Sequence, residues 1–289
     1  SNATLGTPAG KAGNVTVNAR DLVLEDGGRI AATTVDGDSE ANGPVGQGGS
    51  INLNVATLEL SGGAQVTVAT TGQGNAGDIT VTASEDVTAT GFSGAVGRAD
   101  FQASGLVSSS GPDATGAAGS ITVDAPAISL DDGAQIAATT VNGDNNGQGG
   151  SITLTNVESL DLVAGTRVTA STSGAGNGGS VTIVGAPDVD LEITTDSINT
   201  STTGAGDAGT ITVSARDVSI TGADGALVSS STRTGANAGK AGNVTVNARN
   251  LSLTDGGQIA ATTVDGDSQA GGPGGEGGSI NLNVATLDL

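Results

Sequence analysis

Oxygen-bearing side chains at alternate positions of a loop are what a hard cation such as calcium requires. The segment Asn142-Gly143-Asp144-Asn145-Asn146-Gly147 has this pattern, with Asn142, Asp144 and Asn146 as ligands and glycine at the sixth position. It departs from a helix–loop–helix calcium loop in two places. The first position is Asn, and the twelfth, Thr153, carries no carboxylate for bidentate binding. Two related loops, around Asp36 and Asp38 and around Asp265 and Asp267, lack the sixth glycine. These seven residues are the candidate calcium ligands, set against the plainer reading that all three segments are solvated turns. No other cofactor is expected.

General acid–base catalysis needs titratable groups poised around one substrate atom. The chain has no His, no Cys nucleophile, and no Trp or Tyr on which a sugar ring could stack. Adjacent carboxylates such as Asp131 and Asp132 occur beside glycine, where Asp forms turns. The only two aromatic residues, Phe92 and Phe101, fall together with Arg98 in one insertion between Thr88 and Ser104. They form either an anchor that holds a long loop against its scaffold or an exposed contact spot, since loops on rigid scaffolds carry function.

Composition defines the scaffold that must hold these residues. Of 289 residues 50 are glycine, and the apolar content is almost wholly Ala, Val, Leu and Ile. Such a chain can build a core only from thin layers of small aliphatic side chains. The formal net charge of −21, with nine Lys and Arg, excludes phosphate-backbone binding and so nucleic acid as a partner. The same charge keeps long surfaces apart in solution. Without Cys there is no disulfide framework and no zinc–thiolate site. No apolar run reaches membrane-spanning length, so no membrane insertion is expected. Ser1-Asn2-Ala3 reads as an expression-tag scar, and the native protein is expected to begin upstream.

A short phrase recurs nine times: Gly, a small polar residue, Ile or Val, Thr or Asn, then an aliphatic residue. It begins at Gly13, Gly49, Gly77, Gly119, Gly150, Gly179, Gly209, Gly242 and Gly278, at intervals of 28 to 42 residues. Within it the alternation has period two, the signature of a strand. A second short strand follows, as in Ile128-Ser129-Leu130, then a turn such as Asp26-Gly27-Gly28. The third strand opens on one aliphatic residue (Ile30, Val66, Ile136, Val168, Ile198, Val228, Ile259) and fades into small ones. Three strands per unit of about 33 residues, with no helical period, predict a right-handed, single-stranded parallel β-helix of about nine coils. At 4.8 Å per coil it is a rod of about 40 Å. Thr16, Thr80, Thr122, Thr153, Thr182, Thr212 and Thr245, with Asn52 and Asn281, should then line one outward face. Such arrays can match ordered water, but Thr also simply suits exposed strands. The corner glycines are expected to supply unusual backbone angles.

A longer period overlies the short one. Residues 10–60 match residues 239–289 at a shift of 229, with 42 of 51 positions identical. Residues 10–238 are thus one seven-coil super-repeat and 239–289 the start of the next, all within one domain spanning 4–289.

The phrases TTGQGNAGDITVTA (70–83), TSGAGNGGSVTI (172–183) and TTGAGDAGTITV (202–213) resemble the repeats of filamentous haemagglutinin-like exoproteins, above all those of cyanobacteria. The resemblance covers nearly all of 4–289. It implies a β-helical shaft, two-partner secretion through an outer-membrane transporter, an extracellular or cell-surface location, and adhesion to a host or neighbouring-cell surface, including its glycans. The amino-terminal secretion domain of that family is not in this chain. The expected function is therefore a structural and adhesive shaft segment, not an enzyme. The rivals are a carbohydrate-binding or polysaccharide-cleaving β-helix and a calcium-stiffened spacer.

Overall fold

The structure is a computed structural model that describes residues 2–3, 11–34, 46–71, 74–94, 101–111, 115–141, 147–163, 165–186, 190–194, 197–221, 226–233, 239–265 and 275–289. Every regular element among them is a strand. The nine phrases form nine rungs of one parallel ladder, and each aliphatic position pairs with its counterpart one coil away. One inward column, for example, runs Val15, Ile51, Ile79, Ile121, Ile152, Val181, Ile211, Val244, Ile280. The chain is thus the all-β parallel solenoid that its repeats predict. Seven of its coils are covered on both sides, and the first and last on one side only.

The three strands per coil do not make three separate sheets. Strands Ile51–Ser61 and Ile79–Thr90 run through the first corner without a break, so the phrase strands and second strands merge into one 16-stranded sheet. The third strands form a 10-stranded sheet facing it. Between the two lies a single core of fully buried Ile, Leu, Val and Ala. One reading of the repeat needs correction: the third-strand column runs Ile198, Leu227, Ile259, so Leu227 points inward and Val228 outward.

Turn glycines supply left-handed backbone as expected, but the phrase glycines are required for a different reason. None of them has a positive φ; left-handed backbone occurs instead in the second turns, at Asp26, Asp132 and Asp255 and at glycines such as Gly27 and Gly133. At the phrase, each glycine lies against the backbone of the coil before it. A Cβ on Gly77, Gly119, Gly150, Gly179 or Gly209 would sit 2.1 Å or less from the carbonyl oxygen of the preceding phrase glycine. The phrase also lies close to the third strand of its own turn. The Gly179 and Gly209 amides donate across the corner to Ala170 O and Thr200 O, each at 2.8 Å. Where two backbones come this close, only small inward side chains fit, which is why the third strand shrinks to Ala138, Ala170 and Ser229 there.

At the narrow edge the core turns polar. Thr34, Thr70, Ser110, Thr140, Thr172 and Thr202 form a buried hydroxyl column along the third sheet. Its hydroxyls donate to loop carbonyls: Thr34 Oγ1 to Gln47 O at 2.7 Å, Ser110 Oγ to Gly116 O at 2.7 Å, and Thr140 Oγ1 to Gln148 O at 2.6 Å. Gln47 O and Gln148 O also accept the backbone N–H of Ala12 and Ala118 on the coil before. The hydroxyl column thus ties each glycine-rich loop to the third strand as well as to its neighbouring loop.

Candidate functional site

The insertion of the third coil replaces the tight second turn of its neighbours. It forms a small antiparallel hairpin, Phe92–Ser93 against Gln102–Ala103, the only antiparallel pair among the described residues. The Phe92 and Phe101 rings stand 5.3 Å apart at 42° to each other and both are half-buried. Phe92 lies over Gly133 of the following coil, where a Cβ would come within 3.4 Å of the ring. Ser104 fastens the base: its Oγ accepts from Gly63 N at 2.9 Å and donates to Thr90 O at 2.8 Å. Gln65 Nε2 adds a bond to Ala103 O at 3.0 Å. Phe92 thus rests on the following coil, while the Ser104 and Gln65 hydrogen bonds tie the hairpin to the coil before. Arg98 lies outside the described residues. An aromatic pair of this kind contributes about 0.5–1.5 kcal/mol beyond its area. Phe92→Ala should accordingly leave the melting temperature within a few degrees of wild type while limited proteolysis at the insertion speeds up several-fold.

An open hollow of about 530 Å³ lies on the outer face of the third sheet. It arises where the third strands shorten, from Gln135–Thr140 to Arg167–Thr169 and Ser197–Asn199. Its outward lining is Thr139, Arg167, Thr169, Ser171, Asn199 and Ser201. The Thr169 and Ser171 hydroxyls are 2.8 Å apart, and Asn199 Oδ1 accepts from Ser201 N at 2.7 Å. Hydroxyl, amide and guanidinium groups side by side can exchange hydrogen bonds with a polyhydroxylated ligand. Nothing in the sequence marks this hollow, since it depends on where neighbouring strands end.

Acidic and basic residues elsewhere serve to hold coils together. Arg216 reaches Asp190 on the previous coil (Nη2 2.7 Å, Nε 2.8 Å), and Arg249 reaches Asp217. Asn250 adds its backbone N–H and its amide to the same Asp217 carboxylate, at 3.1 and 2.8 Å. Hydrogen bonding and charge from Arg249 hold Asp217 below the ordinary carboxylate range, and Asp217 in turn raises Arg249. A carboxyl lowered by folding stabilises the protein above its unfolded value of 3.8, and that contribution is lost as pH falls through the lower folded value. Wild type should therefore melt above Asp217→Asn at neutral pH, and the two melting temperatures should converge as the pH falls below 3.8 and through the lowered folded value.

The paired carboxylates Asp131 and Asp132 make a turn. Asp132 has φ 48°, and its N–H donates to Asp131 Oδ1 at 2.7 Å. Of the candidate calcium ligands, Asn142, Asp144, Asn146, Asp36, Asp38 and Asp267 lie outside the described residues. Asp265 ends the strand Gln258–Asp265, paired with Arg233 on the coil before. The threonine array stands in register as expected, from Thr16 through Asn52, Thr80, Thr122, Thr153, Thr182, Thr212 and Thr245 to Asn281. Among the described residues no helix is long and apolar enough to cross a membrane, and no three acidic side chains gather as a metal site.

Compared with protein-family models, with curated proteins and with solved structures, the chain finds no match.

Proposed function

We propose that this chain is a shaft segment of a large secreted or cell-surface adhesin. It would be carried out through an outer-membrane transporter of two-partner type and catalyse no reaction of its own. The observation that supports this reading is the parallel pairing of nine phrase rungs, whose two inward columns stack Ile, Val or Leu on one another from the first rung to the last. Such a stack resists bending because each coil is bonded along its whole length to the next. The acidic outer surface keeps neighbouring shafts from bundling. The resemblance of the repeat phrases to filamentous haemagglutinin-like exoproteins supplies the export route and the adhesive role.

A second reading, glycan contact along the shaft, is favoured by the hydroxyl-lined hollow around Arg167. Two measurements test the pair. Pulled from its two ends in a force spectrometer, a shaft gives way in steps of one to a few coils at steady force; one all-or-none rupture of a compact domain would count against it. Incubated with polysaccharides, the chain should release no reducing ends. Retention on a glycan array that disappears in Arg167→Ala would place adhesion on the shaft itself.

A further inference from the structure

The hollow beside Arg167 is set apart by its charge. The chain carries 30 Asp and Glu against nine Lys and Arg. Yet among the described residues that line the hollow none is acidic, and Arg167 is the one cation. Its neighbours in the ladder, one coil to either side, are Gln135 and Ser197. Arg20, Arg216, Lys240 and Arg249 each stand within 4.0 Å of a carboxylate. Among the described residues no carboxylate pairs with Arg167, which is exposed.

The shape comes from two strands that end together. On a regular strand, outward side chains two residues apart are about 6.6 Å from each other. The Thr169 and Ser171 hydroxyls are 2.8 Å apart, because the strand Arg167–Thr169 ends between them. One coil on, Asn199 ends the strand Ser197–Asn199. Its Oδ1 accepts from Ser201 N at 2.7 Å and from Ser171 Oγ at 3.4 Å. With the oxygen so occupied, the amide offers its two N–H donors to a ligand. Val141, 51% exposed, adds an apolar surface against which the C–H face of a sugar ring can lie. A volume of about 530 Å³ is ample for a small ligand.

We infer that this hollow takes an acidic sugar, a uronic acid unit of an anionic polysaccharide, with its carboxylate on Arg167 and its hydroxyls on Thr169, Ser171 and Asn199. A guanidinium meets one planar carboxylate with two parallel N–H···O bonds. A polysulfated chain is matched by a cluster of cations, and the hollow holds one. The net charge of −21 does not forbid the contact, because at physiological salt exposed charges are screened beyond about 8 Å. This assignment rests on glycan contact along the shaft and narrows it to one class of glycan.

Calorimetric titration of the full chain, at about 0.15 M salt with a chelator present, tests it. The probes are oligosaccharides of galacturonate, glucuronate and alginate, and their methyl esters, which keep the ring and lose the charge. At least one acid form should bind, and its ester should bind about tenfold more weakly. Arg167→Ala should lose the same factor toward the acid and little toward the ester. Asn199→Asp keeps an acceptor for Ser201 N but sets a carboxylate in the hollow, so it should weaken the acid more than the ester. Melting temperatures equal to wild type check that both variants fold. Acid and ester bound equally, with no effect of Arg167→Ala, would overturn the acidic class and leave neutral glycan contact standing. Binding of no probe in either form would overturn both. Dextran sulfate held more tightly than every uronate, and released by Arg167→Ala, would overturn the choice of carboxylate.

Discussion

Replacing Gly209 with Ala should be among the most damaging single changes in this protein, although it adds one methyl group. Its Cβ would stand 1.5 Å from Gly179 O and 2.6 Å from the attached carbon, both backbone atoms. No rotamer relieves this. The two coils must separate locally, and the ladder bonds on both sides stretch with them. Overpacking a well-filled core costs about 1–3 kcal/mol, and a clash with fixed backbone lies at or above the top of that range. In a solenoid the damage falls on one interface between neighbours. Urea denaturation should therefore show a lower midpoint and a broader or two-stage transition, the halves melting separately. Gly165→Ala is the informative control. Its φ is +81°, but nothing lies within 4 Å of the added carbon. It should cost only about 1–2 kcal/mol of backbone strain and leave a single sharp transition. Equal effects at the two sites would show that glycine acts through backbone angle rather than close approach.

The second large effect concerns the aliphatic ladder. Ile152 is fully buried between Ile121 on one side and Val181 on the other. Ile152→Ala should destabilise by about 2–5 kcal/mol, because the stacked coils above and below cannot collapse into the space. The same substitution at Ile280 removes a side chain that is 45% exposed on the last rung, and should cost less than about 1 kcal/mol. Both residues occupy the same column and the same place in the phrase. The contrast therefore measures what a neighbouring coil contributes, separately from what isoleucine contributes to its own strand. Chemical denaturation of both variants reads it directly. Comparable losses at the two positions would mean that the coils do not depend on stacking.

The same physics explains how far the sequence could be read. Period-two alternation and a recurring phrase were enough for the strands, the coil and the parallel register, because a one-residue slip would turn each aliphatic side chain outward. Ile121, Ile152 and Val181 are equivalent in the sequence and stack in the structure for that reason. The turn role of Asp131 and Asp132 was legible too, since Asp beside glycine is a local signal. Leu227 and Val228 are both aliphatic, so alternation alone does not distinguish them; only pairing with Ile198 and Ile259 decides that Leu227 faces inward.

The sequence by itself determined the architecture of this protein, because each coil repeats the same local pattern and solenoid contacts reach only to the next repeat. What the fold added is how closely two coils approach and where their strands end. It put the phrase glycines against a carbonyl rather than in a left-handed turn, and it closed the glycine-rich loops with the buried hydroxyls of Thr34, Ser110 and Thr140. It also seated Phe92 over Gly133 and opened the hollow beside Arg167 where strands end early. Each of these is a distance between residues about 30 or more positions apart, or between a loop and the strand it returns to. Sequence periodicity says which residues are equivalent; it carries no measure of how closely their backbones approach.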